Sequence, residues 1–396
     1  MSKIFDKFRY MDYLVFIPYV FLSIFGIIMV YSSSSYISMS TYDYAEHFFI
    51  RQSMFVGVGF GLFILVFLLS KNLFKRQKLV MMSVFGILGL LLYLLIFGTE
   101  IKGAKGWINI VGPFNLQPAE FTKLVVIWYI AFVFSKKQNQ IIHDFKNAAI
   151  KPFLLVMTMI LFIVLQPDVG NAAIIFLIAI LMIFSSGASV KIGLFFSGLG
   201  FALVSLLAWV IRYHRNWLFF MKDYQYNRFL AFWDPFELAE STGMQLVNSY
   251  YALSRGGLFG VGLGESVQKT GYLPEPHTDF IISIIGEELG LLGIFILIGV
   301  FVFLIMRIYL IGIRSKNPFY SLCCIGIASM LLVQSGVNLG GLLGLLPITG
   351  VTFPFISYGG SSTLLLAMSM GVVCNIAASE NKYREKQQAT RLKSGQ

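Results

Sequence analysis

The residues best able to do chemistry in this sequence are acids and bases placed beside long apolar segments. Asp279 lies near the end of the proline-stiffened stretch 272–280, where a long apolar helix is predicted to begin. An acid at the edge of a membrane segment is costly to keep there, which makes it a functional candidate. Its carboxylate could act as a general base or bind a divalent cation such as Mg²⁺ or Mn²⁺. The alternative is a helix cap, because acids are favoured at helix N-termini.

A second candidate group lies at the start of another apolar segment, in residues 117–123. Glu120 and Lys123 are three residues apart, so a helix places them on one face within pairing distance. They form either a neutralising structural pair or part of the wall of a polar cavity. Asp168, in the turn 166–170, is favoured as a helix cap, and a place in the same cavity is its alternative.

The stretch 338–362 combines many prolines and glycines with the hydroxyls of Ser357, Ser361 and Ser362. Irregular backbone at membrane depth is tolerated only where it is buried in protein or lines a wet cavity. The freed amides and hydroxyls could receive an anion such as a phosphate. A re-entrant turn with a purely structural role is the alternative.

Arg51, Lys105 and Trp107 complete the set of candidates, at the ends of segments predicted to face the same side of a membrane. A basic residue at the mouth of an apolar segment ordinarily snorkels to the interface, and a tryptophan there ordinarily belongs to an aromatic belt. Because the topology places all the candidates towards one face, we predict that they share a polar site.

The elements that must position these residues are membrane helices. The 396 residues are 57% hydrophobic and only 12% charged, about half the charged fraction of soluble domains. Apolar runs of about 17–25 residues cross about 30 Å of hydrocarbon. We therefore predict a single all-α polytopic membrane domain over 1–396 with about ten spans, at 13–34, 50–69, 79–97, 119–135, 152–166, 171–186, 191–211, 279–311, 318–338 and 356–378.

The net charge of +11 is distributed as the positive-inside rule requires, which predicts cytoplasmic termini and argues against nucleic-acid binding. The segment 212–278 is then a large extracellular loop, in which 237–253 is predicted to be a helix capped by Ser241 or Thr242. The basic tail 380–396 is predicted to be cytoplasmic and disordered. All three cysteines fall inside spans, so the sequence predicts neither a disulfide framework nor a CxxC metal motif.

Ordered motifs along nearly the whole chain resemble those of the SEDS (shape, elongation, division and sporulation) membrane glycosyltransferases, and most closely the FtsW division type of Gram-positive bacteria. The RodA elongation type is a close sibling. The matching stretches are 107–110, 117–124, 166–168, 248–253, 260–269, 277–281 and 348–362.

The resemblance implies a peptidoglycan glycosyltransferase that polymerises undecaprenyl-linked lipid II into glycan strands at the outer face of the cytoplasmic membrane. It implies that Asp279 is the general base of an inverting single displacement. The pyrophosphate that leaves needs positive charge, for which the sequence offers unranked candidates: Arg51, Lys105, Lys123, Arg212, Arg215, Arg228 and Arg255. Trp107, Glu120 and Lys123 match positions of functional importance in the family, and Arg51 and Lys105 match more loosely. It also implies a class B penicillin-binding protein as transpeptidase partner, other divisome proteins, and a septal location.

Three other functions remain open at this stage. A lipid II flippase also suits a polar cavity in a helix bundle, although the ionisable residues gather at one face. A scaffold that only recruits its penicillin-binding partner would leave Asp279 free to vary. An elongation polymerase of the RodA type would use the same chemistry.

Overall fold

The computed structural model describes residues 2–101, 104–111, 114–214 and 223–393, which form a helical bundle with one small sheet. This confirms the predicted all-α polytopic fold. The helices are α1 (Ser2–Arg9), α2 (Tyr13–Tyr42), α3 (His47–Leu68), α4 (Gln77–Phe97), α5 (Pro118–Lys136), α6 (Gln138–His143), α7 (Phe145–Leu165), α8 (Val169–Phe184), α9 (Val190–Tyr213), α10 (Asp223–Trp233), α11 (Met244–Gly256), α12 (Ile281–Arg314), α13 (Pro318–Leu342) and α14 (Gly360–Lys393).

Among the described residues, nine helices are long and apolar enough to cross a membrane, and the shorter apolar helix α8 makes up the ten predicted spans. The predicted and observed bounds agree best where a span ends at a turn. They differ where a helix continues into polar sequence: α2 continues through a run of serines to Tyr42, and α7 begins at Phe145.

The prediction of a disordered tail is wrong for residues 380–393, which continue α14 to Lys393. Two contacts hold the beginning of this extension against the N-terminal segment: Asn381 Nδ2 donates to the carbonyl of Tyr10 at 3.2 Å, and Lys382 Nζ lies 2.7 Å from Asp6 Oδ2. The sequence contains good helix formers and no proline there, so nothing in it ends the helix.

The two ends of the bundle differ. Both described chain ends lie together at one end, which we call the terminal end. There, α2 begins at Asp12, whose carboxylate accepts from Arg307 Nη2 of α12 at 2.7 Å. The opposite end, where α12 begins just after Asp279, is called the site end. Described residues between α4 and α5, between α9 and α12, and between α13 and α14 line a common space there.

The loop 98–117 forms a small antiparallel sheet, which the sequence analysis did not predict. Its strands are β1 (Thr99–Ile101), β2 (Ala104–Val111) and β3 (Phe114–Leu116), in the order β1-β2-β3. Strand β2 contains the alternating run 107–111, rich in aromatic and β-branched residues that favour strands. Trp107 is paired with Thr99 in this sheet.

The helix predicted at 237–253 begins later than expected. Residues 235–243 form turns, and α11 begins at Met244 with Gly243 as its N-cap rather than Ser241 or Thr242. A Cβ at Gly243 would collide with the carbonyl oxygen of Pro235, so this compact turn requires glycine. The preceding helix α10 was not predicted.

Candidate active site

A cavity of about 770 Å³ opens at the site end of the bundle. The sheet and α5 form one wall, α3 another, the start of α8 a third, and the loops 274–279 and 347–362 with α10 the rest. Many residues predicted to share a site line this cavity: Arg51, Trp107, Glu120, Asp168, Asp279, Ser361 and Ser362.

The backbone around Asp279 is held by two different elements. The amide of Asn338, on α13, donates to the carbonyl of Asp279 at 2.8 Å and to that of Val351 at 2.8 Å. The N–H of Tyr358 donates to the carbonyl of His277 at 2.8 Å. The N-cap of α12 is Phe280 rather than Asp279, so the simple capping alternative does not describe this carboxylate, which lines the cavity.

A guanidinium lies close to the Asp279 carboxylate. A Cβ placed on Gly350 would be 3.4 Å from Asp279 Oδ2 and 3.4 Å from both Nη atoms of Arg228. Gly350 has a φ of +76°, a conformation that glycine adopts without strain. An acid and a cation therefore meet beside a residue that has no side chain, and the space next to them belongs to the cavity.

Glu120 and Lys123 form the predicted pair. Lys123 Nζ lies 2.8 Å from Glu120 Oε1 and donates to Gln334 Oε1 at 3.0 Å. The Gln334 amide in turn donates to the carbonyl of Thr352 at 3.1 Å. Lys123 is completely buried, whereas Glu120 reaches the cavity. The pair is thus structural on the lysine side and part of the cavity wall on the glutamate side.

Asp168 is the N-cap of α8, as the favoured interpretation predicted. Its carboxylate accepts from the backbone N–H of Asn171 at 3.1 Å, from the Asn171 amide at 2.9 Å and from Gln117 Nε2 at 2.8 Å. Burial raises the pKa of Asp168, although part of its side chain still reaches the cavity. Three donors and a place in the wall make Asp168 a fixed corner of the cavity.

The three serines of the predicted anion site have different positions. Ser361 Oγ accepts from the N–H of Gln117 at 2.8 Å and donates to the carbonyl of Asn115 at 3.2 Å. Ser362 Oγ donates to the carbonyl of Gly359 at 3.1 Å. Ser357 is buried, accepts from the N–H of Phe353 at 2.8 Å and is not among the residues that line the cavity. The hydroxyl of Ser357 therefore stabilises the turn.

The remaining predicted residues belong to the sheet and α3. Arg51 and Tyr358 both line the cavity, and the ring of Tyr358 packs edge-on against Phe48 of α3 with centroids 5.0 Å apart. Lys105 belongs to strand β2, but its side chain lies outside the part of the chain that the structure describes. Trp107 lines the cavity from the same strand.

Several residues of the site were missed or left unranked by sequence reasoning. Gln334 and Asn338 are polar residues four apart in an apolar helix, a pattern that could have identified them as inward-facing. Arg228 was only one of several unranked arginines. Its place beside Asp279 depends on how α10 packs, which no local pattern reveals.

A divalent cation would need ligands beyond those of the protein. No cluster of three or more His, Cys, Asp or Glu side chains able to hold a metal occurs in the described ranges 2–101, 104–111, 114–214 and 223–393. Mg²⁺ is commonly bound by one or two carboxylates together with substrate phosphates. Asp279 fits that sparse arrangement, and the prediction that it binds Mg²⁺ or Mn²⁺ stays a prediction.

Comparisons with known proteins agree with this architecture. A family model described as "Cell cycle protein", covering FtsW, RodA and SpoVE, matches residues 12–382. The chain is 42% identical over 383 residues to the probable peptidoglycan glycosyltransferase FtsW of Bacillus subtilis, covering 94% of this chain and 93% of that protein. It is 37% identical over 400 residues to the probable peptidoglycan glycosyltransferase FtsW of Lactococcus lactis, covering 95% of this chain and 94% of that protein.

Two solved structures share the fold. A chain from a peptidoglycan synthase complex that coordinates polymerization and crosslinking has a TM-score of 0.72 and 26% identity, covering 94% of this chain and 98% of that one. The rod shape determining protein RodA of Thermus thermophilus has a TM-score of 0.65 and 25% identity, covering 93% and 96%.

The fold and the cavity define a polytopic membrane protein with an acid and an arginine gathered at one end of a helical bundle. The family match covers nearly the whole of it. This chain belongs to the FtsW/RodA/SpoVE cell cycle protein family, as the resemblance of its motifs predicted.

Proposed function

We propose that this protein polymerises undecaprenyl-linked lipid II into glycan strands at the outer face of the cytoplasmic membrane during cell division. The enzyme class, a peptidoglycan glycosyltransferase of the FtsW type, is supported by the names of its relatives, and the RodA-type alternative is not favoured. The observation that carries the mechanism is the meeting of Asp279 and Arg228 beside Gly350 in one cavity.

Asp279 is the proposed general base. Its carboxylate takes the proton of the acceptor sugar 4-hydroxyl as the hydroxyl oxygen attacks the anomeric carbon of the donor. A carbon–oxygen bond forms there, and the bond from that carbon to the diphosphate breaks on the opposite side. An α-linked donor thereby gives a β-linked product by inversion, which requires one base and no carboxylate nucleophile. General base catalysis of this kind typically contributes about 10²–10⁴-fold.

The diphosphate that leaves needs positive charge. Of the cations considered from the sequence, Arg228 and Arg51 line the cavity. Lys123 is enclosed between Glu120 and Gln334, Arg255 pairs with Glu287, and Arg212 lies over the ring of Trp233. Arg228 is the proposed ligand of the diphosphate, because its guanidinium and the Asp279 carboxylate both lie 3.4 Å from the same point beside Gly350, which places it near the reacting carbon.

A cation held by Asp279 and the diphosphate oxygens would supply further positive charge to the leaving group. The backbone amides at Ser361 and Ser362, in the first turn of α14, give the anion a second support. Trp107 offers an apolar face to a sugar ring. These assignments follow from the position of each group in the cavity.

The biological setting extends the same proposal. The site end faces outward and both termini lie in the cytoplasm, in keeping with the distribution of basic residues. A class B penicillin-binding protein supplies the crosslinking activity, and the pair acts at the septum with other divisome proteins. The structural similarity to a chain of a peptidoglycan synthase complex supports the existence of such a partner.

Transport of lipid II is the function to separate from polymerisation, because both use a polar cavity. The cavity-lining residues all come from the site end, which favours a reaction at one face. The test uses purified protein in liposomes with lipid II, with and without a class B partner, and measures glycan strands and lipid II translocation in the same samples. We expect strands without translocation. Translocation without strands, with partner and divalent cation present, would overturn the proposal.

A further inference from the structure

A second concentration of buried charge lies outside the cavity, in the first turns of α12. Glu287 accepts from Arg255 Nη1 at 2.9 Å, from the N–H of Val267 at 3.0 Å and from Ser266 Oγ. Glu288 Oε1 accepts from Lys269 Nζ at 2.7 Å and from Ser32 Oγ at 2.7 Å. Both carboxylates are buried, and their partners come mainly from one loop, residues 255–269.

Helix α12 is broken immediately after these acids. Gly290 has φ 70° and ψ −176°, which separates a first half, residues 281–289, from a second half, residues 291–314. A broken helix leaves carbonyls on one side of the break and N–H groups on the other without their usual partners. Such groups at membrane depth must be satisfied by other protein groups.

The loop 257–262 crosses the break and satisfies these groups. The N–H groups of Val261 and Gly262 donate to the carbonyls of Glu287 and Glu288, each at 3.0 Å. In return, the N–H of Leu291 donates to the carbonyl of Gly257 at 2.9 Å, and that of Leu292 donates to Leu258 at 3.1 Å. The loop therefore completes the backbone hydrogen bonding of both halves of the helix.

The loop and α12 approach each other so closely that three glycine positions leave no room for a side chain. A Cβ on Gly256 would collide with the carbonyl of Gly286, one on Gly260 with that of Glu288, and one on Gly290 with the backbone of Gly260 and Leu258. Residues 255–269, together with Glu287, Glu288 and Gly290, thus form one tightly packed unit, which we call the clamp.

The clamp fixes the half-helix that begins just after Asp279. The first half of α12 spans nine residues, about 13 Å at 1.5 Å per residue and about two and a half turns, and connects the clamp to the cavity as one rigid segment. Asn338 and Tyr358 hold the other side of Asp279. The direction of this half-helix therefore sets where the Asp279 carboxylate lies in the cavity.

We propose that Lys269 and Glu288 are positioning residues, which act through the first half of α12 to place the Asp279 carboxylate for proton transfer. This inference rests on the proposed function for its catalytic readout. A buried ion pair can be replaced by apolar residues without loss of stability, so charge here serves to select one arrangement of loop and half-helix. A misplacement of about 1 Å in a catalytic group can cost about 10²-fold in rate.

The test compares two buried or half-buried ion pairs on the same helix. Lys269→Met breaks the pair with Glu288 in the clamp, and Arg307→Met breaks the pair with Asp12 at the terminal end, beyond the helix break. We expect Lys269→Met to lower the turnover of lipid II at least tenfold with unchanged lipid II affinity, and Lys269→Arg to restore much of it. Arg307→Met is expected to keep turnover per folded molecule within twofold. Equal losses in Lys269→Met and Arg307→Met would overturn the proposal.

Hydrogen exchange of the backbone provides a readout that does not depend on activity. In Lys269→Met, the amides of residues 257–262 and 281–289 should exchange faster, while those of 295–311 stay as in the wild type. If Lys269→Met does not fold, Glu288→Gln gives the same comparison, because a neutral amide can still bond Ser32. Unchanged exchange at 281–289 would overturn the clamp. If the exchange pattern is as expected but the wild-type protein forms no polymer, the clamp proposal stands and the proposed polymerase function is rejected.

Discussion

The cavity wall and the clamp are both rich in charge, but they arrange it differently. In the clamp, the Glu287 and Glu288 carboxylates are enclosed and bonded mainly to side chains and backbone of a single loop. In the cavity wall, Asp279, Arg228 and Asp168 come from three separate elements, and each borders open space. Enclosed charge fixes the shape of a protein, while charge beside a cavity is available to a substrate.

The pair Glu120–Lys123 combines features of both regions, because its lysine is enclosed and its glutamate reaches the cavity. We expect Lys123→Met to destabilise the protein by about 3–5 kcal/mol, since it leaves Glu120 without its buried partner. Thermal unfolding in detergent measures this loss.

The double variant Glu120→Leu with Lys123→Met separates the two roles of the pair. It should recover most of the melting temperature, because no unpaired charge remains buried. It should not recover polymer formation, because the cavity wall has lost the Glu120 carboxylate. Full recovery of both properties would mean that the pair is purely structural.

Replacement of Arg228 tests whether charge that borders the cavity acts on the substrate. We expect Arg228→Gln to reduce turnover by about 10²–10³-fold, as for the loss of one group that stabilises developing negative charge. Its melting temperature should stay close to that of the wild type, because Arg228 is only half-buried. The rate of glycan formation from lipid II is the measurement.

Arg212→Gln is the matched control for Arg228. Arg212 is an exposed arginine that lies over Trp233, 5.3 Å from its ring, and it does not line the cavity. Its replacement should leave turnover unchanged. If both arginine variants lose the same activity, then general surface charge, rather than a diphosphate ligand, explains the effect.

Gly350 gives a smaller and more local test. Gly350→Ala places a methyl group 3.4 Å from Asp279 Oδ2 and the Arg228 guanidinium, and we expect about a tenfold loss of turnover through displacement of the reacting groups. Gly187→Ala is the control: its φ of +85° causes comparable strain, of about 1–3 kcal/mol, but Gly187 is exposed between α8 and α9, outside the clamp and the cavity lining. Equal kinetic losses in the two variants would assign the effect to backbone strain.

The sequence predicted the bundle well because length and apolar composition decide whether a segment can cross a membrane. The described bounds depart from prediction in α2 and α14, where polar helix formers extend a helix beyond its apolar part. The sheet of β1, β2 and β3 was missed because β1 and β3 have only three residues each and because glycines interrupt the strand pattern of this loop.

The site was predicted in part for similar physical reasons. The Glu120–Lys123 pair and the Asp168 cap are local features, visible in residue spacing. The positions of Arg228 and Gly350 depend on contacts between segments more than 100 residues apart along the chain. In the sequence, the clamp was visible only as a glycine-rich motif. Its structural role depends on the break in α12, and the continuous apolar sequence of that helix gives no sign of the break.

The most direct test of this account measures turnover and melting temperature together for Asp279→Asn and Lys269→Met. The account predicts that Asp279→Asn keeps the wild-type melting temperature and lipid II affinity while turnover falls by at least about 10²-fold. It predicts that Lys269→Met lowers the melting temperature, because it leaves a buried carboxylate unpaired. An Asp279→Asn protein that melts early, yet polymerises lipid II normally per folded molecule, would contradict the account and make Asp279 a structural residue.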